Sequence, residues 1–178
     1  QEFARVKNKN LLMKDLQELI NDRLDNMMKR NPSRINYYER YQKIIEEYNA
    51  EQDKAAIEKT FIDLTNFVND LDDEEKRYVR EGFDNDDELA MYDLLLKDSL
   101  TPAEIKKIKK LAKVLLQRIR DKISELDHWT EKEETQAAVD ILIRDTLWSE
   151  LPESYEDRLL NVYRRKIYEF VYTTYPAA

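Results

Sequence analysis

Apolar residues recur every three to four positions along almost the whole chain. That period is the signature of helices that bury one face. Leu12, Leu16, Leu19, Ile20, Leu24, Met27 and Met28 form the first stripe and predict a helix over about Glu2–Lys29. It should stop near Arg30, because the residue ahead of Pro32 is pushed toward extended backbone. A second helix opens at Asn31-Pro32 or Ser33 and runs to about Tyr48, with Ile35, Tyr38, Tyr41, Ile45 and Tyr48 inward. A third covers about Asp53–Leu71, with Ile57, Phe61, Leu64 and Val68 inward. No Pro or Gly separates the second from the third, so the pattern allows either one helix or two.

Capping signals punctuate the second half. Asp72 and Glu75 have capping-box spacing and predict a short helix to Glu81. Gly82 then sits at its C′ position, where only glycine takes the left-handed conformation without steric cost. Asp84-Asn85 opens a helix to about Lys97, with Leu89, Tyr92, Leu95 and Leu96 buried. Thr101-Pro102-Ala103-Glu104 is the clearest start signal: a capping Thr, Pro at the first helical position and a Glu that reaches back. The helix it opens carries Ile105, Ile108, Leu111, Ala112, Leu115, Ile119, Ile123 and Leu126, and should be long and central. Thr130 with Glu133 repeats the capping spacing ahead of Ala138, Val139, Leu142 and Leu147. Leu151-Pro152 breaks that helix. A last helix, about Ser154–Tyr175, holds Leu159, Tyr163, Ile167, Phe170 and Val171. The sum is an all-α fold, an irregular multi-helix bundle of about seven or eight helices.

Composition narrows the chemistry. One glycine in 178 residues leaves no phosphate-cradling loop, dinucleotide fingerprint or nucleophile elbow. With no cysteine there is no disulfide framework, thiol nucleophile or thiolate zinc site, and one histidine cannot build a multi-histidine metal site. The lack of cysteine fits a reducing, cytoplasmic location. No stretch approaches the ~18 apolar residues of a membrane span, and the first twenty residues mix charges among apolar positions, unlike a signal peptide. The chain starts at Gln1 inside a helical pattern, which reads as a piece of a longer protein.

The net charge of −8 argues against indiscriminate nucleic-acid binding, but it is unevenly spread. Asp63–Asp93 holds 12 acids and 3 bases, whereas Lys97–Ser124 holds 9 bases and 3 acids. The basic run is Lys106, Lys107, Lys109, Lys110, Lys113, Arg118, Arg120 and Lys122. Lys106/Lys110 and Lys109/Lys113 are like charges one turn apart, each costing ~0.2–0.5 kcal/mol in an isolated helix. Cations near a helix N-terminus also oppose its dipole. Such a cluster calls for an acidic neighbour. The bland reading is a solvated face, or pairing with the acidic Asp70–Glu88 segment of the same chain. The functional reading is a phosphate backbone or an acidic partner, with Arg164-Arg165-Lys166 extending the patch if the last helix packs alongside.

Three other patterns fail on their own terms. Glu125-x-x-His128 matches one half of a di-iron helical site, but the second half needs another histidine. His128 beside Trp129 reads instead as a helix-end or turn residue. Asp84-x-Asp86-x-Glu88 resembles a calcium loop, yet Leu89 and Leu95 stand where that loop needs Gly and Glu. Glu104-x-Lys106 and Glu74-x-Lys76 share a nuclease fragment that belongs on a strand, and both fall in first helical turns. Most of the eleven tyrosines read as core residues with the hydroxyl reaching the surface.

Several blocks in order resemble one family. They are Asn31-Pro-Ser-Arg-Ile with Tyr38-Glu-Arg-Tyr-Gln-Lys-Ile-Ile-Glu-Glu-Tyr48; Leu71-Asp-Asp-Glu-Glu-Lys-Arg-Tyr-Val-Arg-Glu-Gly82; Glu88-Leu-Ala-Met-Tyr-Asp-Leu-Leu95; Leu100-Thr-Pro-Ala-Glu-Ile-Lys106; Trp129 with Lys132-Glu-Glu-Thr-Gln-Ala137; and Leu151-Pro-Glu-Ser-Tyr155. The set resembles the C-terminal helical domain of the R (motor) subunit of type I restriction-modification enzymes. The resemblance implies a parent with a nuclease and two motor lobes, an ATP-dependent type I site-specific deoxyribonuclease that binds ATP and Mg2+ outside this piece. It implies partnership with the methyltransferase (M) and specificity (S) subunits, with DNA contact open. It carries over no catalytic residue.

The expectation is therefore a non-catalytic module without a cofactor of its own. Residues 1–30 would be an N-terminal helix linking to the motor region, and residues 31–178 the helical assembly domain. A face rich in Tyr and Leu would meet the methyltransferase core, while the basic helix 103–124 would meet DNA or an acidic partner. The rival readings are a direct phosphate-binding element and a brace for the motor lobes.

Overall fold

The structure, a computed structural model, describes residues 9–51 and 53–177. It is all-α: among the described residues there are eight α-helices, one 3-10 turn and no strand. The chain groups into two compact units that divide between Arg77 and Tyr78.

The first unit holds α1 (Lys9–Arg30), a 3-10 turn (Pro32–Arg34), α2 (Ile35–Ala50) and α3 (Lys54–Glu75). The expected start of the first helix at Glu2 lies outside the described residues. Asn31 ends α1 with extended backbone, as its position before Pro32 requires, and its side-chain oxygen accepts the Ser33 N–H at 3.1 Å. The second and third helices are separate: α2 ends at Ala50, and Asp53 caps α3 by accepting the Ala56 N–H at 2.7 Å. The core gathers Met13, Ile20, Leu24 and Met27 of α1, Tyr41 and Tyr48 of α2, and Leu64, Phe67 and Leu71 of α3. Tyr41 stacks on Phe67 with centroids 5.9 Å apart.

Two expectations are corrected here. Leu12, Leu19 and Ile35 face outward, Leu19 being 68% exposed, and Met13 takes an inward place instead. Helix α1 is apolar over two overlapping stripes about 100° apart, and it can bury only one of them. Second, α3 runs on through Asp72–Glu75, so Asp72 caps nothing. Ion pairs use these acids instead: Arg23 reaches Asp72 and lies 3.0 Å from Glu75.

Between them Glu74 is buried, 4% exposed, against an Arg34 that is 2% exposed. Arg34 Nε donates to Glu74 Oε1 at 3.0 Å, Arg77 Nε to Oε2 at 2.8 Å, and the Tyr37 hydroxyl to Oε2 at 3.2 Å. Burial pushes the Glu74 carboxyl up, but hydrogen bonds and charge from Arg77 and Arg34 outweigh it and hold the pKa below 4.5.

The second unit begins with the short helix α4 (Arg77–Arg80), whose first residue still counts to the first unit. It closes at Gly82 as expected. Gly82 has φ +82°, its N–H donates to Val79 O and the Phe83 N–H to Tyr78 O, a Schellman closure. Then follow α5 (Asp86–Leu95), α6 (Pro102–Ser124), α7 (Glu133–Glu150) and α8 (Asp157–Thr174). Helix α6 packs on α5 and α7, and α8 packs on α7 and α5. Ile108, Ala112, Leu115 and Ile119 of α6 are wholly buried with Leu89 and Leu95 of α5, Val139, Ile143 and Leu147 of α7, and Ile167 and Val171 of α8.

Three boundaries differ from expectation. Helix α5 ends at Leu95, and Leu96 turns extended and half-exposed. Thr130 does not cap α7. The N-cap is Lys132, without a side-chain bond, and the Thr130 carbonyl accepts from Gln136 Nε2 at 2.6 Å. The cause is Trp129, which is wholly buried and donates Nε1–H to the Tyr175 carbonyl at 2.7 Å, drawing this loop inward. Helix α8 starts at Asp157, because Tyr155 is held in a turn on Pro152 O and donates its hydroxyl to Leu95 O at 2.6 Å.

The Arg34–Glu74 pair should dominate the stability of the first unit. Glu74→Gln strips the buried guanidinium of its carboxylate and is expected to cost about 3–5 kcal/mol in urea unfolding. The pair's contribution is complete above pH 4.5 and is lost as the pH falls through the lowered pKa. The variant's stability should therefore decline less than the parent's over that acid range. Gly82→Ala meets no atom within 4 Å, so its expected loss of about 1–2 kcal/mol is backbone strain alone. Calorimetry of both variants checks these values.

Candidate functional site

The basic run lies on α6, and local chemistry explains why that helix starts where it does. Thr101 Oγ1 accepts the Glu104 N–H at 3.2 Å, Glu104 Oε2 accepts the Thr101 N–H at 2.8 Å, and Pro102 occupies the first position. Hydrogen bonding from the Ser154 side chain and from Thr101 lowers the Glu104 carboxyl pKa. Glu104 is thus a cap in a first helical turn as read, whereas Glu74 stands in the last turn of α3, not a first turn, because that helix runs on to Glu75, and it serves as a buried ion-pair partner.

Burial of Ile108, Leu111, Ala112, Leu115, Leu116, Ile119 and Ile123 sets the rotation of α6. The eight cations then part into groups. Lys109 Nζ lies 2.8 Å from the Glu81 carboxylate and 3.0 Å from its carbonyl, over the Tyr92 ring at 5.6 Å. Lys113 lies 3.6 Å from Asp84 and 3.8 Å from Glu88, with the Phe83 ring at 5.9 Å. Arg120 pairs with Asp87 at 2.5 Å and covers the Tyr175 ring at 5.5 Å. Burial and the nearby Asp87 charge push the Tyr175 hydroxyl up to about 12. Lys122 reaches Glu125 at 4.0 Å.

Lys106, Lys107, Lys110 and Arg118 differ. All four are exposed, and none has an ion pair or hydrogen bond among the described residues. At 3.6 residues per turn they share one arc of about 120°. The acidic segment therefore takes up three of the eight cations and leaves these four facing water.

The acids of that segment serve the helix they precede. Asn85 caps α5 through the Glu88 N–H, Glu88 accepts the Asp84 N–H at 3.0 Å, and Asp86–Glu88 complement the helix dipole. Among the described residues no three His, Asp or Glu side chains are grouped to hold a metal ion. His128 is exposed at φ +47°, a turn residue beside Asp127, and Glu125 turns to Lys122.

Arg164 and Arg165 leave the α6 arc alone. They line a groove of about 580 Å³ between α7 and α8, where Arg164 Nε lies 3.1 Å from Asp140. Tyr41, Tyr48, Tyr92, Tyr155 and Tyr163 are buried as core residues, whereas Tyr172 is 41% exposed. Large aliphatic and indole side chains face outward as well. On α7, Ile141 is 46% and Trp148 70% exposed, two turns apart on one row with Ala137. On α1, Leu11, Leu12 and Leu19 face outward within about 100° of arc. The sequence signal for the α7 row was an apolar pair at i, i+7 lying off the buried stripe. Among the described residues no helix is long and apolar enough to cross a membrane.

The sequence model of one family, described as type I restriction enzyme HindI endonuclease subunit-like, C-terminal, matches residues 1–162. No curated protein and no solved structure matches the chain.

The division of the basic run has a direct consequence for stability. Arg120→Ala removes the Asp87 pair and the stem over Tyr175 and should cost about 1 kcal/mol, less at high salt. Lys110→Ala should leave the urea midpoint unchanged or slightly raised, since it relieves the Lys106 repulsion.

Proposed function

The chain belongs to the family of C-terminal regions of type I restriction endonuclease subunits, and from that premise we propose that it is a non-catalytic assembly module. It docks an ATP-dependent DNA translocase and endonuclease subunit onto the methyltransferase–specificity core. ATP and Mg2+ act in the parent chain, and this region supplies surface.

The observation that carries the docking reading is the outward row of Ile141 and Trp148 on α7. The Arg144–Asp145 ion pair lies between the two side chains, and exposed apolar groups rimmed by polar ones mark interaction surfaces. Trp is also enriched among residues that dominate interface energy. The ridge of Leu11, Leu12 and Leu19 supports the reading of residues 1–30 as the helix that joins the module to the motor region.

The test uses the whole motor subunit and its methyltransferase–specificity core without DNA. Trp148→Ala with Ile141→Ala should weaken association by at least tenfold, about 1.4 kcal/mol. Added salt should change the wild-type affinity little, because the contact is apolar. The melting temperature should hold, since both side chains are exposed. Unchanged association would end the reading for this face. Deletion of residues 31–178 that left docking intact would end it for the module and favour a brace for the motor lobes.

A further inference from the structure

The cations of α6 form two populations with different tasks. Lys109, Lys113 and Arg120 each meet a carboxylate and an aromatic ring of their own unit. Lys106, Lys107, Lys110 and Arg118 meet neither. Yet Lys106 and Lys110 repel one another one turn apart, and three of the four crowd the N-terminal half of the helix, against its dipole. A chain of net charge −8 has ample acid to neutralise them. Its acids are placed elsewhere, except Asp121, whose carboxylate accepts the Gln117 amide at 2.8 Å on the same arc.

We propose that this exposed arc of α6 lies along the phosphate backbone of double-stranded nucleic acid, contacted by Lys106, Lys107, Lys110 and Arg118. The composition of the arc separates this occupant from an acidic protein. The rest of it is Ala103, Val114, Gln117 and Ser124 with Asp121, and no aromatic or large exposed apolar side chain anchors it. Protein interfaces are depleted in lysine and enriched in aromatics, the reverse of this face. Lys106 to Arg118 spans about 18 Å of helix axis, about five phosphate steps of a strand at ~3.4 Å. Contacts of this kind position a duplex and carry no base sequence. The proposal is independent of docking through α7.

The experiment is fluorescence anisotropy of the full 178-residue chain with a labelled duplex of mixed sequence. Four phosphate contacts predict a slope of log affinity against log salt of about −3.6, roughly a hundredfold loss between about 50 and 200 mM. Lys110→Ala and Arg118→Ala should each flatten the slope by about 0.9. Lys113→Ala should leave the slope unchanged, although it removes the same charge, because that charge is already matched to Asp84 and Glu88. Two duplexes of unrelated sequence should bind alike. The proposal falls if the folded chain binds no duplex at low salt, or if Lys113→Ala flattens the slope as much as Lys110→Ala. It also falls if poly-glutamate binds the same four residues as tightly as the duplex, which would assign the face to an acidic protein.

Discussion

The rotational setting of α6 governs the surface of the second unit. Ile108, Ala112, Leu115 and Ile119 are wholly buried, so the helix cannot turn without exposing one of them. At roughly 1.5–3 kcal/mol for a large aliphatic side chain, that constraint exceeds the worth of any half-exposed ion pair on its flanks. Packing therefore decides which lysines meet the 81–88 segment and which meet water. The ion pairs follow from the apolar face; they do not set it.

The first unit solves a different problem with a buried charge. Arg34, Glu74 and Arg77 sit where the 3-10 turn meets the end of α3, and the turn's own backbone is tied by Asn31. Replacing such a pair with apolar groups is often neutral, whereas breaking it is not. Its geometry ties the 3-10 turn to the end of α3 through one buried carboxylate. The carboxylate so held is also the reason α3 outlasts its apolar stripe.

Signals confined to one turn of chain were readable in the sequence. Thr101 with Glu104, and Gly82 at a C′ position, depend on bonds spanning three to five residues, and both occur as read. Signals that depend on distant partners were not. Two leucine stripes compete on α1, and only packing against Phe67 and Leu71 chooses the one with Met13. Asp72 and Glu75 have the spacing of a cap, but Arg23, about fifty positions away, engages both. Trp129 overrides the Thr130 cap through a carbonyl 46 residues along the chain. For the candidate site, charge runs showed that acids and bases would meet. Which four cations remain outside depends on helix rotation, which no charge count contains.

The two tryptophans occupy opposite environments. Trp129 is sealed among Tyr168, Tyr172 and the Tyr175 carbonyl, while Trp148 stands mostly in water on the outer row of α7. Indole emission moves to longer wavelength in water, so the exposed Trp148 should emit to the red of the buried Trp129. A quencher dissolved in the buffer reaches one ring and not the other. The two rings thus report separate events: covering the α7 face should shield Trp148 from the quencher, and opening of the core should expose Trp129 to it.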